Sequence, residues 1–99
     1  MISIKIYRRG NDLLIAACDE YLLGKRFEEG KFQLDVTKEF YGGERIDIET
    51  FKKYLLEATI ANLVGNLTIK CAIESGIINS DCVIKIGGVP HAQMVKMLH

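Results

Sequence analysis

Apolar and polar residues alternate at the start of the chain. Ile2, Ile4 and Ile6 are separated by Ser3, Lys5 and Tyr7, the period of a strand with one buried face. Arg8 and Arg9 lead into Gly10-Asn11, a pair suited to a tight hairpin turn because glycine accepts positive φ. Residues 13–18 are apolar on both faces and read as a central strand covered on both sides. Asp19 is placed to cap a short turn through residues 20–23 that ends at Gly24, and Glu28-Glu29-Gly30 reads as another turn. Phe32, Leu34 and Val36 alternate with Gln33, Asp35 and Thr37 as a third strand.

From Asp47 the period becomes helical. Ile48, Phe51, Leu55 and Ala58 share one face at 100° per residue, with Asp47 as N-cap. The expected helix runs to about Val64 and stops at Gly65. Thr59 and Asn62 then project from the middle of its apolar face, where an unpaired polar group costs about 1–3 kcal/mol. Asn66 is expected to cap a second helix over roughly residues 67–75, ended by Gly76, so that the two helices meet in a corner. Thr59, Asn62 and Gly65 therefore read as structural support for the loop at residues 87–93. Residues 82–86 form a further short strand, and the periodicity of residues 92–98 fits a strand and a helix equally. The expectation is one α+β domain over residues 1–99, with a mostly antiparallel sheet packed against two consecutive helices.

Composition narrows the class. Ninety-nine residues with 48% apolar and 26% charged side chains suit one folded domain. No apolar run approaches the ~20 residues that span a bilayer. The alternating N-terminus lacks the continuous apolar core of a signal peptide, so a cytoplasmic protein without membrane contact is expected. Cys18, Cys71 and Cys82 cannot all pair internally, lack zinc spacing, and read as small buried side chains. Thirteen basic residues balance thirteen acidic ones, which excludes a dominant basic face and argues against DNA as a partner. The distribution is uneven: residues 1–26 carry five basic residues against three acidic ones, and residues 27–57 carry eight acids against five bases.

Two loops hold candidate chemistry. Phe40-Tyr41-Gly42-Gly43 places two aromatics beside two glycines. It reads either as core-plugging Phe40 covered by Tyr41, or as a stacking platform. In Gly87-Gly88-Val89-Pro90-His91-Ala92-Gln93, two glycines bring backbone amides close to an anion, while His91 and Gln93 add side-chain donors and acceptors. A plain strand-to-strand turn is the simpler account. No Walker, GxGxxG, GxSxG or HExxH pattern occurs. With only His91 and His99, no metal site and no cofactor are expected. An acid–base pair of His91 with Glu57 has no support in the spacing, so a non-enzymatic protein is expected.

Several segments together resemble the archaeal family catalogued as domain of unknown function 424. They are Ala17-Cys18-Asp19-Glu20, Leu23-Gly24-Lys25, Glu39-Phe40-Tyr41-Gly42-Gly43, the run from Glu57 to Gly65, and Ile86-Gly87-Gly88-Val89-Pro90-His91-Ala92-Gln93. The resemblance spans almost the whole chain. It implies a small archaeal cytoplasmic protein of one domain, carrying an RNA-binding or translation-linked label and no catalytic residue. The expected function is a non-enzymatic module that binds RNA or the ribosome. Its site would join Tyr41, Gly42, Gly43, Gly87, Gly88, His91 and Gln93, with Thr59, Asn62 and Gly65 in support. Tyr41 would stack, Asn62 and Gln93 would bond a base or ribose, and the Gly87 and Gly88 amides would face a phosphate. The alternatives are a protein-interaction subunit, with room for a homo-oligomer, and a small-molecule enzyme around His91.

Overall fold

The N-terminal hairpin forms where alternation and glycine place it. In the computed structural model, which describes residues 1–96, strand β1 (Ile2–Arg9) turns at Gly10-Asn11 into β2 (Asp12–Asp19). A 3-10 turn (Glu20–Leu22) leads to a small second sheet of β3 (Arg26–Glu29) and β4 (Phe32–Asp35). One helical turn, α1 (Lys38–Tyr41), and β5 (Glu44–Ile46) precede helix α2 (Ile48–Glu57). Strand β6 (Ile60–Val64) and helix α3 (Asn66–Glu74) follow, and the chain closes with β7 (Ile84–Ile86) and β8 (Val89–Val95).

The main sheet has the order β5-β1-β2-β6-β8-β7, and among the described residues only the β2–β6 pair is parallel. This is an α+β fold with a mostly antiparallel sheet. Helices α2 and α3 cover one face of the sheet, where Ile2, Ile4, Ile15, Phe51, Leu55 and Leu63 are the main fully buried side chains. The 3-10 turn, the β3–β4 hairpin and α1 cover part of the other face, around Ala16, Cys18, Leu34, Val36, Tyr41 and Val64.

The segment from Glu57 to Val64 departs from the sequence expectation. Helix α2 ends at Glu57, Ala58 is extended (ψ 138°), and residues 60–64 form a strand. Ala61 and Leu63 point into the helix-side core, so the same apolar residues satisfy a period of two. Pairing decides between the readings. Without β6, the second edge of the largely buried β2 would hold unpaired backbone groups, which a buried strand cannot tolerate. The two helices are therefore separated by a central strand and do not meet in a corner.

The cap of α3 also differs. Gly65 is the N-cap, Asn66 is the first helical residue, and Asp19 supplies the capping carboxylate. Its two oxygens accept from the amides of Leu67 (3.0 Å) and Thr68 (2.8 Å) and from the Thr68 hydroxyl (2.8 Å). It makes no side-chain cap for its own 3-10 turn. Gly65 approaches it closely, and a side chain there would collide with the carboxylate. The C=O of Gly65 accepts the first α3 bond, from Ile69, and its N–H donates to Pro90. The residue opposite Gly65 thus needs no N–H, which suits proline.

Smaller corrections follow the same logic. Glu28 and Glu29 belong to β3, and the turn falls at Gly30-Lys31. Residues 89–95 are strand, while residues 97–98 of the undecided tail, and His99, lie outside the described residues. Cys18 and Cys71 are buried, but Cys82 is exposed. One thiol per chain is therefore expected to react with Ellman's reagent in buffer, and three in urea. Cys82→Ser should abolish the fast reaction.

Candidate RNA-binding face

Strand order and pleat create an open surface. On the face away from α2 and α3, the register aligns Tyr7, Leu14, Ile60 and Val95 in one row across β1, β2, β6 and β8. The next row is Lys5, Ala16, Asn62 and Gln93, and the third holds Ser3, Cys18, Val64, His91 and Ile84. The 3-10 turn, the β3–β4 hairpin and α1 cover the third row at Cys18 and Val64 but leave the first row half open. Val95 is 63% exposed and Ile84 49%.

Aromatic rings bound one end of this opening. Tyr7 and Phe40 stack with centroids 5.5 Å apart, and the Tyr7 hydroxyl donates to the Phe40 carbonyl (2.9 Å). A hollow of about 390 Å³ lies against them, floored by Leu14 and Ile60 and rimmed by Arg9 and Asp12. Lys5 donates to the Glu39 carbonyl (2.7 Å), with its ammonium 5.5 Å from the Tyr7 ring centre. In the middle row the Gln93 amide donates to Asn62 Oδ1 (2.9 Å). One amide hydrogen of Gln93 is used in that bond, while the Asn62 NH₂ and the Gln93 carbonyl remain for a ligand.

The residues singled out from sequence fall into separate places. Asn62 and Gln93 meet directly, although on adjacent strands and not at a helix end. Tyr41 is only 4% exposed, so it forms core and cannot stack on a ligand; Phe40, half-buried, takes the outer position. Ser3 donates to the Tyr41 carbonyl, and burial pushes the Tyr41 phenol up to about 12. Gly42 and Gly43 pack against the backbone of Lys38 and Ile4 with no room for a side chain. Gly87 and Gly88 (φ 59° and 82°) make the two-residue β7–β8 turn. Its amide position is already occupied, since Gly87 N–H donates to the Glu29 carboxylate (2.9 Å). An internal carboxylate takes the place of the expected phosphate.

His91 is half-buried, with Nδ1 3.0 Å from the Leu63 carbonyl. It lies on the sheet face opposite α2, which carries Glu57, so these two do not pair. Thr59 braces β2 and not the β7–β8 loop. Its hydroxyl accepts from the Leu13 amide (2.9 Å), and its own amide donates to the Leu13 carbonyl. Among the described residues every buried side-chain N or O atom has a partner, so no orphaned polar group demands a ligand. The row through Tyr7 escaped the sequence reading because its members lie on four separate strands. Its one local signal was the aromatic Tyr7 at the solvent-facing phase of β1.

The fold and this face define a small α+β domain with a half-covered sheet. The chain belongs to the family described as "Protein of unknown function (DUF424)", whose model matches residues 7–97. The fold is shared with an uncharacterized conserved protein from Methanopyrus kandleri, solved by crystallography. The likeness has a TM-score of 0.76 at 23% identity, over 99% of this chain and 96% of that one. No curated protein matches. No helix among the described residues is long and apolar enough to cross a membrane.

Proposed function

We propose that the protein is a non-enzymatic, translation-associated module that binds single-stranded RNA on the open half of its sheet. The observation that carries the reading is the Tyr7–Phe40 pair, set beside a hollow on an otherwise apolar sheet row. One unpaired base seats in the hollow against the ring pair, as bases do on aromatic-bearing sheet faces. Arg9 at the rim meets the phosphate, and the Asn62–Gln93 amides hydrogen-bond the neighbouring nucleotide or its 2′-hydroxyl. Duplex RNA presents no free base to the hollow and binds weakly.

Zero net charge sets the scale of the electrostatics. Lys5 and Arg9 are the cations on this face, so about two phosphates are neutralised. For single strands that gives a slope of log K against log salt near −1.4. Fluorescence anisotropy with a mixed-sequence 12-mer RNA, its DNA counterpart and a hairpin duplex tests this. Binding should favour the RNA single strand. Arg9→Glu and Val95→Glu, both at exposed positions, should each weaken it at least fivefold without changing the thermal midpoint. Equal affinity for duplex, or variants that bind as the parent does, would reject the reading. A protein-interaction face is the second reading, favoured by exposed Ile84 and Val95. It predicts association that tolerates salt, with no RNA preference.

A further inference from the structure

A second hollow lies on the other side of the sheet and plays no part in RNA binding as proposed. It is a groove of about 440 Å³ between α3 and the β7–β8 hairpin. Ile69, Ile73, Val83 and Pro90 make its lining largely apolar, and Ile73 is 38% exposed for want of a neighbour. Lys70 on α3 and Lys85 on β7 stand on opposite walls. Among the described residues no carboxylate lies within 4 Å of either ammonium. The acid that lines the groove, Glu74, is instead paired with Lys52 of α2 (3.9 Å).

We infer that this groove binds a small carboxylate with an apolar body. The pattern is an apolar trough with a few convergent polar groups, which is the usual form of a small-molecule site. The two lysines select the ligand's charge. An aliphatic cation would be repelled by both of them, and a neutral chain would leave both unmatched. At about 440 Å³ the trough has room for a medium-length alkyl chain, with the carboxylate between Lys70 and Lys85. The carboxylate belongs either to a free acid or to the last residue of a peptide, and both present the same chemistry.

Amide chemical shifts of the ¹⁵N-labelled full chain, titrated with submicellar decanoate, 1-decanol and decyltrimethylammonium, test the assignment. Decanoate should shift residues 69–73 and 83–86 and bind at least tenfold more tightly than decanol, with the ammonium weakest. Lys70→Glu together with Lys85→Glu should erase the preference for decanoate while decanol binding persists, so a folding defect cannot mimic the result. RNA affinity of that double variant should equal the parent's, because the open face lies across the sheet. A peptide ending in free leucine, compared with its C-terminal amide, separates the sources. Tighter binding of the free-acid peptide than of decanoate assigns the site to chain ends, and the reverse assigns it to free acids. Equal binding of decanoate and decanol, or shifts centred on Tyr7 and Ile60, would overturn the inference.

Discussion

Gly65→Ala should cost about 4 kcal/mol, a large share of the roughly 5–15 kcal/mol that holds a small domain together. Two independent penalties combine. The backbone at Gly65 has φ 109° and ψ 155°, a region closed to residues with a side chain and worth about 1–3 kcal/mol when forced. The new Cβ would also meet the Asp19 carboxylate at 2.4–2.7 Å, well inside contact distance. Asp19→Ala alone should cost about 3 kcal/mol, since it strips the amides of Leu67 and Thr68 and the Thr68 hydroxyl of their acceptor in a buried place. The two effects should not add. Removing the carboxylate relieves the collision, so the double variant should be more stable than the sum by at least 1 kcal/mol. Urea denaturation of the four proteins measures this coupling. Additivity within about 0.5 kcal/mol would mean that Gly65 and Asp19 do not press on each other.

That contact shows what the sequence could and could not disclose. The first hairpin was legible because its information is local: alternation in β1, a Gly-Asn turn, and a doubly apolar β2. The start of α2 was legible for the same reason, with Asp47 accepting from the Thr50 amide. The capping of α3 was not, because its acceptor lies 48 residues upstream of Leu67. Neither was β6. A five-residue apolar run satisfies helical and strand periods alike, and here the vacant edge of β2 decided. Thr59 and Asn62 stand out as polar residues in an apolar stretch, and that oddity is informative although the stretch forms a strand and not a helix. Asn62 does meet Gln93, across two strands, and Thr59 is a brace. Phe40 and Tyr41 exchanged their expected places. Which of two adjacent aromatics faces the core depends on the single turn of α1 and the direction in which it docks, and composition carries neither.

Alkaline pH should destabilise the fold through its buried thiols and the buried Tyr41 phenol. Burial, reinforced by the neighbouring Asp19 charge, pushes the Cys18 thiol up from 9.0 to about 12. Burial, and then Cys18, push the Tyr41 phenol up from 10.0 to about 12, and Cys71 moves in the same direction through burial. Each is an acid whose neutral form is favoured by folding, so its stabilising contribution is complete below the unfolded pKa. It declines as pH rises above that unfolded value, which for Cys18 means from about 9 until pH passes the folded value near 12. For Cys18, which is fully buried, the loss should be about 1 kcal/mol by pH 10 and grow further as pH rises. Urea midpoints at pH 7, 9, 10 and 10.5 should fall progressively above pH 9, with thiolate absorbance from Cys18 and Cys71 appearing only as the chain unfolds. Cys18→Ala lowers stability at pH 7 by lost packing, but its decline between pH 9 and 10 should be distinctly shallower than the parent's. The slope, and not the starting stability, reports the ionisation of the thiol. A parent protein whose midpoint stays level to pH 10.5 would show that the thiol ionises within the native fold, and that the layer formed by α1 and the β3–β4 hairpin admits water to Cys18.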